Sequence, residues 1–186
     1  MSWDLSSYFP EFNGPEMVEF KQSLERDITF LCRKAALLPA LAPDSEVGWE
    51  EVLLEYEAIQ RRISHLGSYL SCLAAADARN EAYLKESAVL ARKRAEFVKL
   101  RVELFRAVKE CRDEAFFAFI ERPNLRDARH YLLRLREESR RSMNREREGL
   151  AADLAVDGIQ AWGRLYDTLS GKLEFEMVFA DGRRER

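Results

Sequence analysis

The spacing of apolar residues between Trp49 and Leu73 constrains this fold more than any other feature. These residues follow one another at alternating steps of three and four positions. Such alternation is the heptad pattern of a helix that buries one continuous stripe against a partner helix. The stripe consists of Trp49, Val52, Tyr56, Ile59, Ile63, Leu66, Leu70 and Leu73. We therefore predict a long helix here, with Asp44 or Ser45 as its cap.

A second stripe follows at once, with apolar or small residues every seven positions: Tyr83, Leu90, Phe97, Leu104 and Cys111. The segment Asp77–Asn80 between the stripes reads as a turn, so the two helices are predicted to form a long antiparallel, coiled-coil-like hairpin over 44–122. An unbroken helix from 81 to 120 would be roughly 60 Å long. A compact chain of 186 residues has a radius of gyration of only about 16 Å, so either this helix breaks or the chain is elongated. We favour a bend near Glu110–Asp113. The cluster Phe116, Phe117, Phe119 and Ile120 comes next and needs a cover.

Shorter elements flank the hairpin. The segment 1–43 holds an amphipathic helix from Pro15 to about Leu38, because prolines follow at 39 and 43. The segment 123–172 holds short helices, which are predicted to run from Asn124 to about Glu138, from about Asn144 to Val156, and from Ile159 to Gly171. The stretch 173–179 alternates like one short C-terminal strand and has no evident partner strand in this chain.

Composition supports an all-α fold, an elongated helical bundle in which residues 1–186 form a single helical domain. The chain is 47% hydrophobic and 34% charged, with only 8 glycines and 5 prolines, which excludes a disordered tail and a loop-rich β fold. Its longest uncharged run, Ile63–Ala76, is too short to cross a membrane, so no membrane partner is expected. The three cysteines fit no disulfide or metal pattern, and we interpret them as small core residues of a cytoplasmic protein.

No catalytic, cofactor-binding or metal-ligating residue is predicted in this chain. A His-Glu-x-x-His metal helix needs two histidines one turn apart, but His65 and His130 are far apart in sequence. We interpret His65 as a hydrogen-bonded structural residue and His130 as a surface residue. A phosphate-binding loop before Gly171-Lys172 is excluded because Tyr166 occupies the position that requires glycine.

Arginines are dense between Arg122 and Arg147, which by itself could mark a nucleic-acid surface. Acidic residues are interleaved with them, however, and the pairs Arg134 with Glu138 and Glu137 with Arg141 are spaced for ion pairing on a solvated helix face. Only Tyr131 supplies an interleaved aromatic ring. We therefore expect no nucleic-acid partner and keep nucleic-acid binding as a minor alternative.

Two stretches resemble the oligoendopeptidase F group, zinc metallopeptidases related to thimet oligopeptidase. The first is Trp3-Asp4-Leu5-Ser6-Ser7-Tyr8-Phe9 with Pro10 and Phe12. The second comprises Glu146–Leu150, Gly158–Leu169 and Leu173–Phe175. Between them, Tyr69–Ser71 and His130–Leu132 occur in the order that the family shows. The resemblance covers nearly the whole chain, and its motifs are short.

The resemblance implies an N-terminal helical domain whose helices form one wall of a cleft that admits oligopeptides. In that family the zinc-binding helix lies much later, so zinc is expected in a missing catalytic domain, to which the strand 173–179 leads. The expected partners are that catalytic domain and oligopeptide substrates, and the chain alone is expected to be inactive. The alternative is a stand-alone helical protein-interaction module without enzymatic activity.

Overall fold

The structure is a computed structural model that describes residues 4–173 and 176–185. It is all-α, as predicted, apart from a very short hairpin near the C-terminus. The helices are α1 (Pro15–Leu37), α2 (Glu46–Ala76), α3 (Glu81–Glu110), α4 (Asp113–Ile120), a 3-10 helix (Pro123–Ala128), α5 (Arg129–Arg141), α6 (Arg145–Asp157) and α7 (Ile159–Ser170).

The main core lies among three helices, because α1 packs against both arms of the α2–α3 hairpin. The predicted stripe on α2 is buried at Trp49, Val52, Ile59, Ile63, Leu66 and Leu70. Tyr56 and Leu73 are only partly buried, and the Tyr56 ring stacks on Phe97 with 4.6 Å between centroids. The hairpin is therefore present, but its seam is shared with α1 and is not a two-helix coiled coil.

The predicted break after α3 is confirmed at Cys111 and Arg112, where the chain turns into α4. Phe116, Phe119 and Ile120 are buried within this chain, whereas Phe117 is 51% exposed. The Arg136 guanidinium of α5 lies 4.3 Å from the Phe116 ring centroid. The cluster therefore has the cover that it was expected to need, and that cover comes from within the chain, because the 3-10 helix packs against α4 and α5 supplies Arg136.

The predicted helix ends are close to those observed, although two of the caps act differently. Asn80 and Asn144 accept hydrogen bonds from the first turns of α3 and α6. Ser45 precedes α2 but makes no cap to it, since its hydroxyl instead bonds within the preceding loop. Asn124 lies in the 3-10 helix and donates to the Glu50 carboxylate at 2.8 Å, so it does not begin an α-helix.

The expectation of an unpartnered strand over 173–179 was also wrong. Residues Met177–Val178 pair in antiparallel fashion with Arg184–Glu185 across a turn that contains Gly182. Residues 174 and 175 lie outside the described residues. Two short strands joined by a tight turn form backbone hydrogen bonds with each other. The alternation of 173–179 alone did not indicate this pairing.

The cysteines differ from one another in environment. Cys111 is buried and Cys32 is partly buried, in keeping with the predicted role as core residues. Cys72 is exposed, so the interpretation was wrong there. It lies beyond the buried stripe of α2, since α1 and α3 cover the opposite side of that helix.

Candidate functional site

The segment α6–α7 is the part of the fold with the least cover. Helix α6 packs along α3, and Lys99 of α3 bonds to Asp153 of α6 at 3.0 Å. The Asp153 carboxylate is the main cause of a raised pKa at Lys99. Gly158 then ends α6 and begins α7.

Helix α7 turns its apolar side to solvent. We call this side the α7 apolar face, and it consists of Ile159, Trp162, Leu165, Tyr166 and Leu169. Ile159, Trp162 and Tyr166 are each at least 70% exposed, and no residue of α7 is buried. An amphipathic helix normally turns this side to its own core. The outward orientation of α7 leaves a contiguous aromatic and aliphatic surface that none of the described residues covers.

The opposite side of α7 faces the α2–α3 hairpin across an open groove of about 940 Å³. We call it the α7 groove. Its floor carries small residues and leucines of α2 and α3, and its other wall is the side of α7 that runs from Gln160 to Gly171 and is mostly polar apart from Leu165. Gly171 closes one end, because a Cβ there would approach the Ala78 Cβ to 2.6 Å. The hairpin turn and the C-terminal end of α7 therefore meet at this end of the groove.

Arg94 and Gly67 mark the other end of the α7 groove. They are the lining residues of α3 and α2 that lie farthest from the hairpin turn. A Cβ on Gly67 would come within 2.2 Å of Arg94 Nη2, so only glycine lets the guanidinium lie against α2. Arg94 has no hydrogen bond or ion pair with any of residues 4–173 and 176–185. Arg94 is thus a solvent-exposed cation beside the α7 groove, with no acceptor among the described residues.

Neither histidine belongs to a metal centre. His65 Nε2 lies 3.3 Å from the Tyr8 carbonyl oxygen, and its ring contacts those of Tyr8 and Phe9, as expected for a structural residue. His130 is exposed, as predicted for a surface residue. Within residues 4–173 and 176–185, no group of three histidine, cysteine, aspartate or glutamate side chains is arranged to hold a metal ion. The family resemblance implies zinc in a separate catalytic domain and assigns no metal ligand to these residues.

The arginine-rich segment is tied into the fold through ion pairs. The predicted pairs of Arg134 with Glu138 and Arg141 with Glu137 are present, at 3.4 and 3.0 Å. Arg136 bonds to the Cys111 carbonyl oxygen at 3.1 Å and to Asp113. These arginines thus have protein acceptors, which is what the interleaved acidic residues predicted.

No described helix has the length and apolar character needed to cross a membrane.

The fold and the site together define a helical domain with one uncovered amphipathic helix. A family model described as oligopeptidase F, for its N-terminal domain, matches residues 108–175. That stretch includes α4 to α7 and hence the whole α7 apolar face. Over 108–175 the match confirms the predicted resemblance to the N-terminal domain of an oligoendopeptidase F-like peptidase and suggests a peptidase parent. The resemblance predicted for the opening stretch and for Tyr69–Ser71 lies outside the matched residues. No curated protein and no solved structure gives a significant match.

Sequence reasoning missed Arg94 and the outward orientation of α7. The apolar spacing of α7 could be read from the sequence. Whether the apolar side faces the bundle or solvent depends on how the chain turns at Gly158. Gly67 was visible as a glycine inside a strong heptad pattern. An isolated helical glycine often marks a close approach of another group, and that signal could have pointed to Arg94.

Proposed function

We propose that this chain is the N-terminal, non-catalytic domain of a zinc-dependent oligoendopeptidase, in which it forms part of the cleft that confines oligopeptide substrates. The observation that carries the proposal is the α7 apolar face, which points outward within the stretch that the oligopeptidase F family model matches. In this proposal the face docks on the catalytic domain of the same polypeptide, and the protein works in the cytoplasm.

The composition of the face suits a permanent interface. Trp162 and Tyr166 are of the residue types that contribute most to the centres of protein interfaces. Their neighbours Ile159 and Leu169 extend the same apolar surface along one side of the helix. Monomeric proteins rarely leave such a surface uncovered. A partner domain attached to the same polypeptide would cover it at a high effective concentration.

Zinc belongs to the catalytic domain in this proposal. The described residues offer no arrangement of metal ligands, so the chain contributes confinement of the substrate and no step of the hydrolysis. A cleft wall made of long, packed helices is suited to that role, because its core residues hold the helices rigidly. We expect the 186-residue chain alone to be inactive.

The first test is the coding sequence that follows Arg186. We expect an in-frame His-Glu-x-x-His motif, and the polypeptide that contains it should bind zinc and cleave an internally quenched oligopeptide. Under the same conditions the 186-residue chain should neither bind zinc stoichiometrically nor cleave the peptide. Cleavage by the chain alone would show that the proposal is wrong.

The second test concerns the docking surface. Trp162→Gln combined with Leu169→Gln should weaken the association of this domain with the catalytic part, measured by limited proteolysis of the linker and by thermal melting. Val89→Gln and Val98→Gln, which replace two exposed apolar residues of α3, are the matched control. A stop codon directly after Arg186 would instead favour the stand-alone interaction module, in which the same face binds a separate protein.

A further inference from the structure

We propose that the α7 groove is a binding site for the carboxyl terminus of a short peptide, with Arg94 as the residue that binds the carboxylate. Arg94 makes no hydrogen bond or ion pair with the described residues, and the proposed function assigns no role to the groove. The α7 apolar face lies mainly on the other side of the same helix, and Leu165 at the boundary belongs to both surfaces.

The charge of the groove favours a single carboxylate. Its ionisable lining residues are Arg94, Arg164 and Asp167. Arg164 is already engaged, since its Nη2 donates to the Val156 carbonyl oxygen at 2.9 Å. Asp167 makes no ion pair with Arg94. A guanidinium presents two parallel donors that match a carboxylate, and a charge-assisted pair of this kind is among the stronger protein hydrogen bonds.

The position of Arg94 favours a chain terminus. The groove runs from the closed end at Ala78 and Gly171 to the end marked by Gly67 and Arg94. Gly67 and Ala78 are 11 positions apart on α2 and its turn, which corresponds to roughly 16 Å, the length of about five extended residues. A peptide of that size would lie along the groove with its last residue at Arg94.

The lining of the groove is suited to a peptide backbone. Ser71, Ser87 and Gln160 line it, and their side chains make no hydrogen bond to the described residues. They are available to amide and carbonyl groups of a ligand. The remaining floor combines alanines with Leu70, Leu84 and Leu90, and an acyl tail would offer no hydrogen-bonding group to the three polar side chains. A peptide therefore fits the groove better than a fatty acid, the other common carboxylate.

Gly67 holds Arg94 in its binding position. Because a Cβ at this position would clash with Arg94 Nη2, Gly67→Ala should displace the guanidinium while it leaves the backbone unchanged. The clash involves the far end of a flexible side chain, and the next contact of that Cβ, with Leu90, is an ordinary 3.6 Å. Gly149→Ala is a matched control on α6, since a Cβ there meets nothing within 4 Å.

The experiment is an NMR titration of the 186-residue chain with three N-acetylated alanine pentapeptides. The first has a free carboxyl terminus, the second is amidated, and the third is amidated but carries one internal glutamate. We expect the first peptide to shift the amide signals of Gly67, Ser71 and Gly171 and to bind about tenfold more tightly than the other two. Arg94→Gln and Gly67→Ala should remove this preference. Arg92→Gln, an exposed arginine on the same helix, and Gly149→Ala should retain it.

Three results would overturn the inference: equal binding of the acid and amide peptides, equal binding of the glutamate peptide, or no shift in the groove at millimolar peptide. The variants are first checked for wild-type thermal melting, so that lost binding reports the site and not the fold. The measurement involves no peptidase activity. Its failure would leave the proposed function standing, and failure of the proposed function would leave this site testable.

Discussion

The carboxylate of Glu50 accepts a hydrogen bond from Nε of Arg122, which lies 72 residues further along the chain. The same guanidinium bonds to Glu46 at 2.6 Å, and Asn124 completes the cluster by donating to Glu50. Because Glu50 is buried at the start of α2, this pair joins the hairpin to the segment after α4. It is one of several connections between the three-helix core and the later helices, together with the packing of α5 and α6 against α3.

Glu50→Gln should lower the free energy of unfolding by about 2 to 4 kcal/mol, because it removes one of the two carboxylates that pair with the partly buried Arg122. Urea denaturation measures this change. Glu57→Gln is the control on the same helix, since Glu57 and its partner Arg61 are both mostly exposed, and it should change stability by less than about 0.5 kcal/mol. An unchanged midpoint for Glu50→Gln would show that the pair contributes nothing to the junction.

Ile63→Asp should destabilise the domain by about 4 kcal/mol or more, because Ile63 is buried in the seam among α1, α2 and α3 and an unpaired charge there loses its hydration. Such a loss is a large part of the stability of a domain of this size. Thermal melting followed by circular dichroism is the measurement. Ser64→Asp, at the neighbouring exposed position, should melt with the wild type. Equal melting of the two variants would mean that the interface is misplaced.

Trp162→Gln together with Leu169→Gln should leave the stability of the 186-residue chain within about 0.5 kcal/mol of the wild type, because both side chains are exposed. The same substitutions should reduce the binding of an apolar dye such as ANS. Trp49→Gln provides the contrast: this tryptophan is buried and donates to the Pro39 carbonyl oxygen at 2.8 Å, so its replacement should destabilise the fold. A large loss of stability from the α7 substitutions would show that the face is covered in solution.

Stability should fall as the pH rises from about 9 to about 11. Burial is the main cause that raises the pKa of the Cys32 thiol from 9.0 to about 11. Below pH 9 the thiol is protonated in both states. Between the two values the unfolded chain releases the proton and the folded chain retains it, so unfolding is favoured. Cys32→Ser should flatten this part of the profile, measured by urea denaturation at several pH values, and an unchanged slope would contradict the prediction.

The different burial of the three cysteines determines the order in which their thiols react. At pH 8.5, N-ethylmaleimide should modify exposed Cys72 first, whereas Cys32 and Cys111 should react slowly because burial raises the pKa of each. Mass spectrometry of the time course measures the order. In urea the three rates should become similar. Early modification of Cys32 in the folded chain would contradict its environment in the structure.

The helical part of the fold could be predicted because its signals are local. The heptad stripe, the turn at Asp77–Asn80, the break near Cys111 and the glycines at 158 and 171 each lie within a few residues of the feature that they determine. The cover of Phe116 and the pairing of Met177–Val178 depend on segments elsewhere in the chain. The spacing of one segment gives no information on which other segment packs against it. The sequence therefore did not identify the cover of Phe116, and the expectation of an unpartnered strand was wrong.

The candidate site was less accessible to prediction than the fold. The apolar spacing of α7 establishes that one side is apolar, but the direction of that side depends on the backbone turn at Gly158, whose ψ of −112° lies outside the ordinary helical range. The position of Arg94 beside Gly67 depends on the register of α2 against α3. Seven-residue spacing fixes the faces of two helices but leaves their relative shift along the axis open.

The absence of buried side chains on α7 also determines which helix of the domain unfolds locally most easily. Since no residue of this helix is buried, its backbone hydrogen bonds can break without exposing core surface. Amide protons of α7 should therefore exchange with solvent water far sooner than those of α2, whose opening requires the three-helix core to separate. The helix thus forms a cooperative unit of its own, and a partner that covered it would slow this exchange without any change in the rest of the fold.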